Sequence, residues 1–410
     1  MLAAGAGSGG AIRLPRKIRE DKMAISIETK CIHLEKDRGE SFSDDTTHCS
    51  HYGAVSFPIY QTSTYAHPAV GKSTGFDYSR MQNPTREQLE KVVCALEGGA
   101  DAVAVSTGMA AISLLMEIFS PGDHIIADSD LYGGTIRIFD AVSKKNGLAF
   151  THANLSAEDA ESLIRPQTKA IYLETPTNPM MNISDISAMA QIARRHNLLL
   201  IVDNTFMSPY FQNPLALGAD IVIHSGTKYL AGHNDTLAGF IVTSSREISE
   251  RIRYLFKTTG SGLSPFDSWL VLRGIKTLAV RMEKSQENAI KIAEFLKTQK
   301  CVTRVLYPGL PEHPGHEIMR RQTRGFGAMI SFSTDTAERA LSVLNKVRLI
   351  QFAESLGGVE TLITYPVTQT HAEVPEEIRL QNGITPSLLR LSVGIESADD
   401  LISDLEQALR

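Results

Sequence analysis

The chain is poor in cysteine, with 4 in 410 residues. Cys31, Cys49, Cys94 and Cys301 stand far apart and form no C-x-x-C pair. A zinc ribbon or thioredoxin-like site is therefore unsupported, and the usage fits a reducing, cytoplasmic setting. Long apolar runs are lacking as well: no stretch approaches the roughly 20 residues needed to span a bilayer, so no membrane partner is expected. Positive charge is not in excess. The 41 basic and 46 acidic side chains leave a net charge of −5, a poor match for nucleic acid, which wants a basic surface. Clustered histidine is missing too. His313 and His316 are spaced H-x-x-H, but Pro311, Pro314 and Gly315 place them in a loop, so no metal is expected.

What is present is an ordinary globular composition, 42% apolar and 21% charged, in a length that suggests about two or three domains. Residues 1–24 stand apart as a disordered or leader extension, Ala/Gly/Ser-rich and then basic at Arg13, Arg16, Lys17 and Arg19. Gly5, Gly7 and Gly10 match G-x-G-x-x-G there, but no strand precedes them, so the match is a low-complexity linker.

From about residue 85 short apolar runs alternate with helical patterns. Helices are expected over 86–96, 109–118 and 186–195. Strands are expected over 102–105, 124–127, 170–173, 198–202 and 221–223. Continuous apolar strands separated by helices predict an α/β fold, a mostly parallel sheet covered on both faces. Ligands in such sheets sit at the carboxyl ends of the strands. Each strand here is followed by polar residues: Ser106-Thr-Gly-Met109, then Asp128 to Gly134, Glu174 to Pro179, Asp203-Asn-Thr205 and His224 to Lys228.

A lone lysine is usually a solvated surface residue. Lys228 instead follows a buried-type strand, where a low dielectric lowers an amine's pKa and favours Schiff-base chemistry. Asp203 closes another strand; it either caps a turn or partners a cationic ring nitrogen, as in pyridoxal phosphate enzymes. The Ser106–Met109 turn opens a helix, where free amides bind phosphate. A plain helix cap would look the same.

In this order the motifs resemble the cystathionine γ-synthase and γ-lyase family of pyridoxal phosphate (PLP) enzymes. The most specific stretch is Ser225-Gly-Thr-Lys-Tyr-Leu-Ala-Gly-His-Asn-Asp235. It is supported by Tyr78-Ser-Arg80 with Asn83-Pro-Thr85, Leu131-Tyr-Gly-Gly134, Glu174-Thr-Pro-Thr-Asn-Pro179, Val202-Asp-Asn-Thr205, Glu354-Ser-Leu-Gly-Gly358 and Arg390-Leu-Ser-Val-Gly394. The resemblance implies the aspartate-aminotransferase fold (PLP fold type I) and PLP as cofactor. It implies that Lys228 carries the cofactor and shuttles protons, that Asp203 keeps the ring nitrogen protonated, and that Tyr132 stacks on the ring. Gly108, Met109, Ser225 and Thr227 would hold the phosphate, and Asn178 the ring hydroxyl side. Tyr78 and Arg80 look like the pair that reaches a neighbouring subunit's phosphate. Arg390, assisted by Ser355, would take the substrate α-carboxylate.

Three charges at matching positions, Asp77, Arg137 and Glu354, would read the far end of a cystathionine-sized substrate. Together they favour the cystathionine branch. Gly134 stands where methionine γ-lyase-like members carry cysteine, and sulfhydrylases need no distal charge reader. The preferred reaction is γ-replacement, forming cystathionine from an O-activated homoserine and cysteine. The alternatives are cystathionine γ-lyase and, behind it, cystathionine β-lyase, O-acetylhomoserine sulfhydrylase and methionine γ-lyase, or a binding protein that kept the fold. The segment from Thr364 to His371 departs from the synthases' pattern, which bears on the acceptor pocket. The expected organisation is a subunit-contacting arm over 25–82, a PLP-binding α/β domain over 83–280 and a smaller α+β domain over 281–410. The resemblance implies a homotetramer, a dimer of dimers with shared active sites, acting on small amino-acid substrates.

Overall fold

A computed structural model describes residues 25–33, 54–156 and 159–410. The 1–24 extension with its glycine pattern, and Cys49, lie outside the described residues.

A short helix α1 (Ile27–His33) comes first among the described residues, and residues 54–83, with bends, turns and isolated bridges, lead to helix α2 (Pro84–Glu97). Helix α2 shows how local chemistry sets an element. Asn83 caps it by accepting from the amides of Thr85 and Arg86, Pro84 sits in its first turn, and Gly98 ends it at φ 73°. Its apolar Leu89, Val92, Val93 and Leu96 are all buried.

Seven strands follow: β1 (Asp101–Val105), β2 (His124–Asp128), β3 (Ala149–Ala153), β4 (Thr168–Glu174), β5 (Leu199–Asp203), β6 (Ile221–Ser225) and β7 (Gly239–Thr243). They form one sheet in the order β1-β7-β6-β5-β4-β2-β3, with β7 alone antiparallel to its neighbours. No helix lies between β6 and β7 to carry the chain back to the starting edge, so β7 returns antiparallel. The mostly parallel sheet of the sequence reading is thus present, with β3 and β7 added. Four of the expected strands also run further at their carboxyl ends, because the polar residue after the apolar run still ladders. Glu174 pairs in register with Asp203, and Ser225 with Gly239. Helix α3 (Gly108–Met116) and the short α4 (Gly133–Ile138) begin at the rim where these strands end.

Two helices follow β7 and the helix Arg246–Thr259: Pro265–Ile275 and Leu278–Thr298. Buried Arg281 bridges the break and donates to the carbonyls of Gly274 and Tyr229. It thereby pins the residue next to Lys228. Five more strands, β8 (Val302–Leu306), β9 (Met329–Thr334), β10 (Gln351–Phe352), β11 (Leu362–Thr364) and β12 (Leu388–Ser392), form a second, mostly antiparallel sheet in the order β10-β11-β12-β9-β8. No helix among the described residues is long and apolar enough to cross a membrane.

Candidate active site

A cleft of about 330 Å³ opens at the carboxyl ends of β4, β5 and β6, and Arg390 of β12 with the loop residues Glu354, Ser355, Leu356 and Thr370 closes it. Eleven of the expected residues line it: Gly108, Met109, Tyr132, Asn178, Asp203, Ser225, Thr227, Lys228, Glu354, Ser355 and Arg390. Residues more than 250 positions apart are brought together because strand ends converge there.

Lys228 lies on the turn after β6. Its Nζ donates to Ser355 Oγ at 2.7 Å. Burial lowers its pKa to about 8, helped by Arg390 and opposed by Glu354. Ser355 has φ 90°, a region side chains seldom adopt, and its carbonyl accepts from Arg390 Nη2 at 3.0 Å. Such strain persists where packing over-determines it, typically at functional sites.

Arg390, on β12, is 1% exposed. Burial pushes its pKa down to about 10. Nη1 donates to Asn178 Oδ1 (2.8 Å) and Nη2 also reaches Thr364 Oγ1 (3.1 Å), while the buried Nε has no partner. A buried guanidinium donor without an acceptor is costly, and a carboxylate arriving in the cleft would satisfy it.

Asp203 ends β5. Its Oδ1 accepts from the amide (3.0 Å) and hydroxyl (2.5 Å) of Thr205, and no described group bonds Oδ2. Burial raises its pKa, against those two hydrogen bonds. Glu174, its register partner on β4, is raised well above the usual carboxylate range, first by burial and then by Asp203. Glu174 Oε2 accepts from the Tyr132 amide at 2.9 Å and so fixes the start of α4. The Tyr132 ring folds over Gly134, where an added Cβ would lie 2.5 Å from Tyr132 Cε1 and 2.9 Å from the Met109 sulfur.

At the start of α3, Thr107 Oγ1 accepts from the Ala110 amide, while the amides of Gly108 and Met109 meet no acceptor among the described residues. A Cβ on Gly108 would come within 2.9 Å of Ser225 Cβ. The turn therefore packs hard against Ser225, with two free amides beside the Ser225 and Thr227 hydroxyls.

These features fit a phosphorylated aromatic cation bearing an aldehyde: free amides for the phosphate, an unpaired carboxylate oxygen for the ring nitrogen, a tyrosine ring in the cleft wall and an amine of lowered pKa. Sequence reasoning gave no role to Glu174, Thr205, Thr107 or Thr370, which also line the cleft. For Thr205 the signal was available, a hydroxyl two residues after a strand-closing acid. For Glu174 it was hidden, since an acid at a buried strand end shows its role only through the neighbouring strand.

Four expected residues lie outside this cleft. Asp77 pairs with His67 (3.2 Å) and accepts from Ser73. Tyr78 is 44% exposed, and the Arg80 guanidinium lies 5.7 Å from its ring while donating to the Lys257 carbonyl. Arg137 is exposed on α4 and pairs with Glu373. His316, read as loop, starts a helix (His316–Gln322).

A rim lysine of lowered pKa, a buried acid with one free oxygen and a helix start with two free amides are what the class of PLP-dependent enzymes on an α/β scaffold requires. The chain belongs to the Cys/Met metabolism PLP-dependent enzyme family, which it matches over residues 41–410. It is 52% identical to a cystathionine γ-lyase of Bacillus subtilis, covering 87% of this chain and 94% of the relative. It is 49% identical to a cystathionine β-lyase of Lactococcus lactis subsp. cremoris, over 94% and 99% of the two chains. The crystal structure of cystathionine γ-synthase from Xanthomonas oryzae pv. oryzae, in complex with aminoacrylate and cysteine, superposes with a TM-score of 0.89. That pair is 41% identical, over 94% of this chain and 98% of the other. The protein is accordingly a PLP enzyme of the transferase and lyase class, with the fold that the motifs implied.

Proposed function

We propose that the enzyme carries out γ-replacement, forming cystathionine from an O-activated homoserine and cysteine. The single observation that supports this most is Glu354, a carboxylate at the mouth of the cleft that holds Lys228 and Arg390. There it can accept a hydrogen bond from the amino group of a second amino acid. Cystathionine γ-elimination is the second reading, favoured by the 52% identical γ-lyase. The test is a product assay with acetyl-, succinyl- and phosphohomoserine, with and without cysteine, and with cystathionine alone. Cystathionine accumulating when cysteine is present supports replacement. Cysteine and 2-oxobutanoate released from cystathionine, with no synthesis, would refute it.

PLP, when bound, supplies a protonated ring that delocalises the electrons left at Cα when its proton departs. Gly108, Met109, Ser225 and Thr227 bind its phosphate, Asp203 Oδ2 holds the ring-nitrogen proton, Tyr132 covers the ring and Asn178 meets its hydroxyl side. Arg390 takes the substrate α-carboxylate with its free Nε, and Ser355 steadies the Lys228 amine. Lys228 Nζ, its pKa lowered to about 8 by burial, takes the Cα proton in its neutral form and returns it. Glu354, Arg137 and Asp77 read the distal end of the substrate. Tyr78 and Arg80 act in a neighbouring subunit's cleft, in a homotetramer with shared active sites. Residues 25–82 are the arm, 83–280 the cofactor domain and 281–410 the smaller domain.

A further inference from the structure

The segment that begins at Thr364 and departs from the synthases' pattern runs from β11 toward β12 as a strap laid over the start of α4. It is anchored there repeatedly. His371 is 2% exposed and its Nε2 lies 3.3 Å from the Leu131 carbonyl, while Nδ1 pairs with Thr370 Oγ1 at 2.9 Å. A Cβ on Gly133 would stand 2.2 Å from the Thr370 carbonyl, so the strap and the first turn of α4 touch backbone to backbone. Further along, Asn382 Nδ2 donates to the Ser129 carbonyl at 2.9 Å.

These anchors fix where Glu373 falls. It lies two residues beyond His371, and its carboxylate accepts from the Arg137 guanidinium one turn along α4. Neither partner lines the cleft, but each sits on a segment that reaches it, with Tyr132 lining the cleft at the start of α4 and Thr370 lining it on the strap. The two side chains are 56% and 66% exposed. In water such a pair is weak and exchanges readily with other carboxylates. Its geometry is nevertheless preset, because both backbones are clamped.

We propose that Glu373 is a specificity-determining residue. It supplies Arg137 with an internal carboxylate on the segments that flank the cleft, which a substrate's distal carboxylate must displace. The chain thereby disfavours γ-substituents that end in a lone carboxylate, relative to neutral ones. This rests on the reading of Arg137 as the reader of the substrate's far end.

O-succinylhomoserine carries such a distal carboxylate and O-acetylhomoserine does not. The quantity measured is the ratio of their kcat/KM values in elimination by the PLP-loaded enzyme. Glu373→Gln should raise the succinyl-to-acetyl ratio about two- to fivefold, the range of an exposed ion pair, with the change in KM rather than kcat. Glu373→Asp should keep the original ratio. Arg137→Ala should lower the ratio, and Arg137→Ala/Glu373→Gln should match Arg137→Ala alone. A ratio that Glu373→Gln leaves unchanged or lowers, while Arg137→Ala lowers it, would overturn the inference and leave the role of Arg137 standing. A ratio that Arg137→Ala leaves unchanged would overturn that role itself.

Discussion

Lys228 must shed its ammonium proton before its amine can join the aldehyde carbon of PLP. Burial brings its pKa down to about 8, with Arg390 acting in the same sense and Glu354 against it. An amine with a pKa of about 8 is roughly one-tenth neutral at pH 7, whereas an ordinary lysine near 10.4 is only about 0.04% neutral. Cofactor uptake by PLP-stripped protein should therefore climb about tenfold between pH 7 and pH 9 and then level off. Glu354→Gln removes the carboxylate that stabilises the ammonium, so the midpoint should fall. The assay is uptake followed by absorbance in a stopped-flow instrument across pH 6.5–10.5. A rate that keeps rising by a constant factor per pH unit through pH 10 would refute the lowered pKa. A midpoint that moves upward in Glu354→Gln would refute the electrostatic account.

Asp203→Asn should fold normally and bind PLP yet lose most of its turnover, because an amide cannot keep the ring nitrogen protonated; wild-type kcat would exclude the assignment. Arg390→Ala should impair every amino-acid substrate, since the free Nε and the fork serve the common α-carboxylate. Glu354→Ala should cost about ten- to a hundredfold in kcat/KM only where a distal amino group is present, the worth of one charge-assisted hydrogen bond; equal losses across substrates would make Glu354 structural. Arg80→Ala and Lys228→Ala proteins, inactive alone, should regain part of the activity when their subunits exchange. No recovery despite proven exchange would mean that each chain builds its own site.

The rim of the sheet was legible because buried parallel strands are short apolar runs, and the polar residues that end them mark the cleft. The helix over Ile186–Arg195 has the bounds expected of it. Strand β12 was hidden. Arg390 interrupts its apolar run, and the groups that make the buried charge tolerable come from Asn178, Ser355 and Thr364. No local pattern reports contacts of that span. Glu373 was invisible for the same reason: an exposed acid in a loop acquires meaning only when the strap sets it against Arg137. Tyr78 and Arg80 could be singled out by motif, and both lie outside the cleft of their own chain.

The central claim is that Lys228 carries the cofactor. Borohydride reduction of the PLP-loaded protein, followed by peptide mapping, tests it most directly. The account predicts one pyridoxyl adduct, on Lys228, absent from Lys228→Ala. An adduct on another lysine would contradict it.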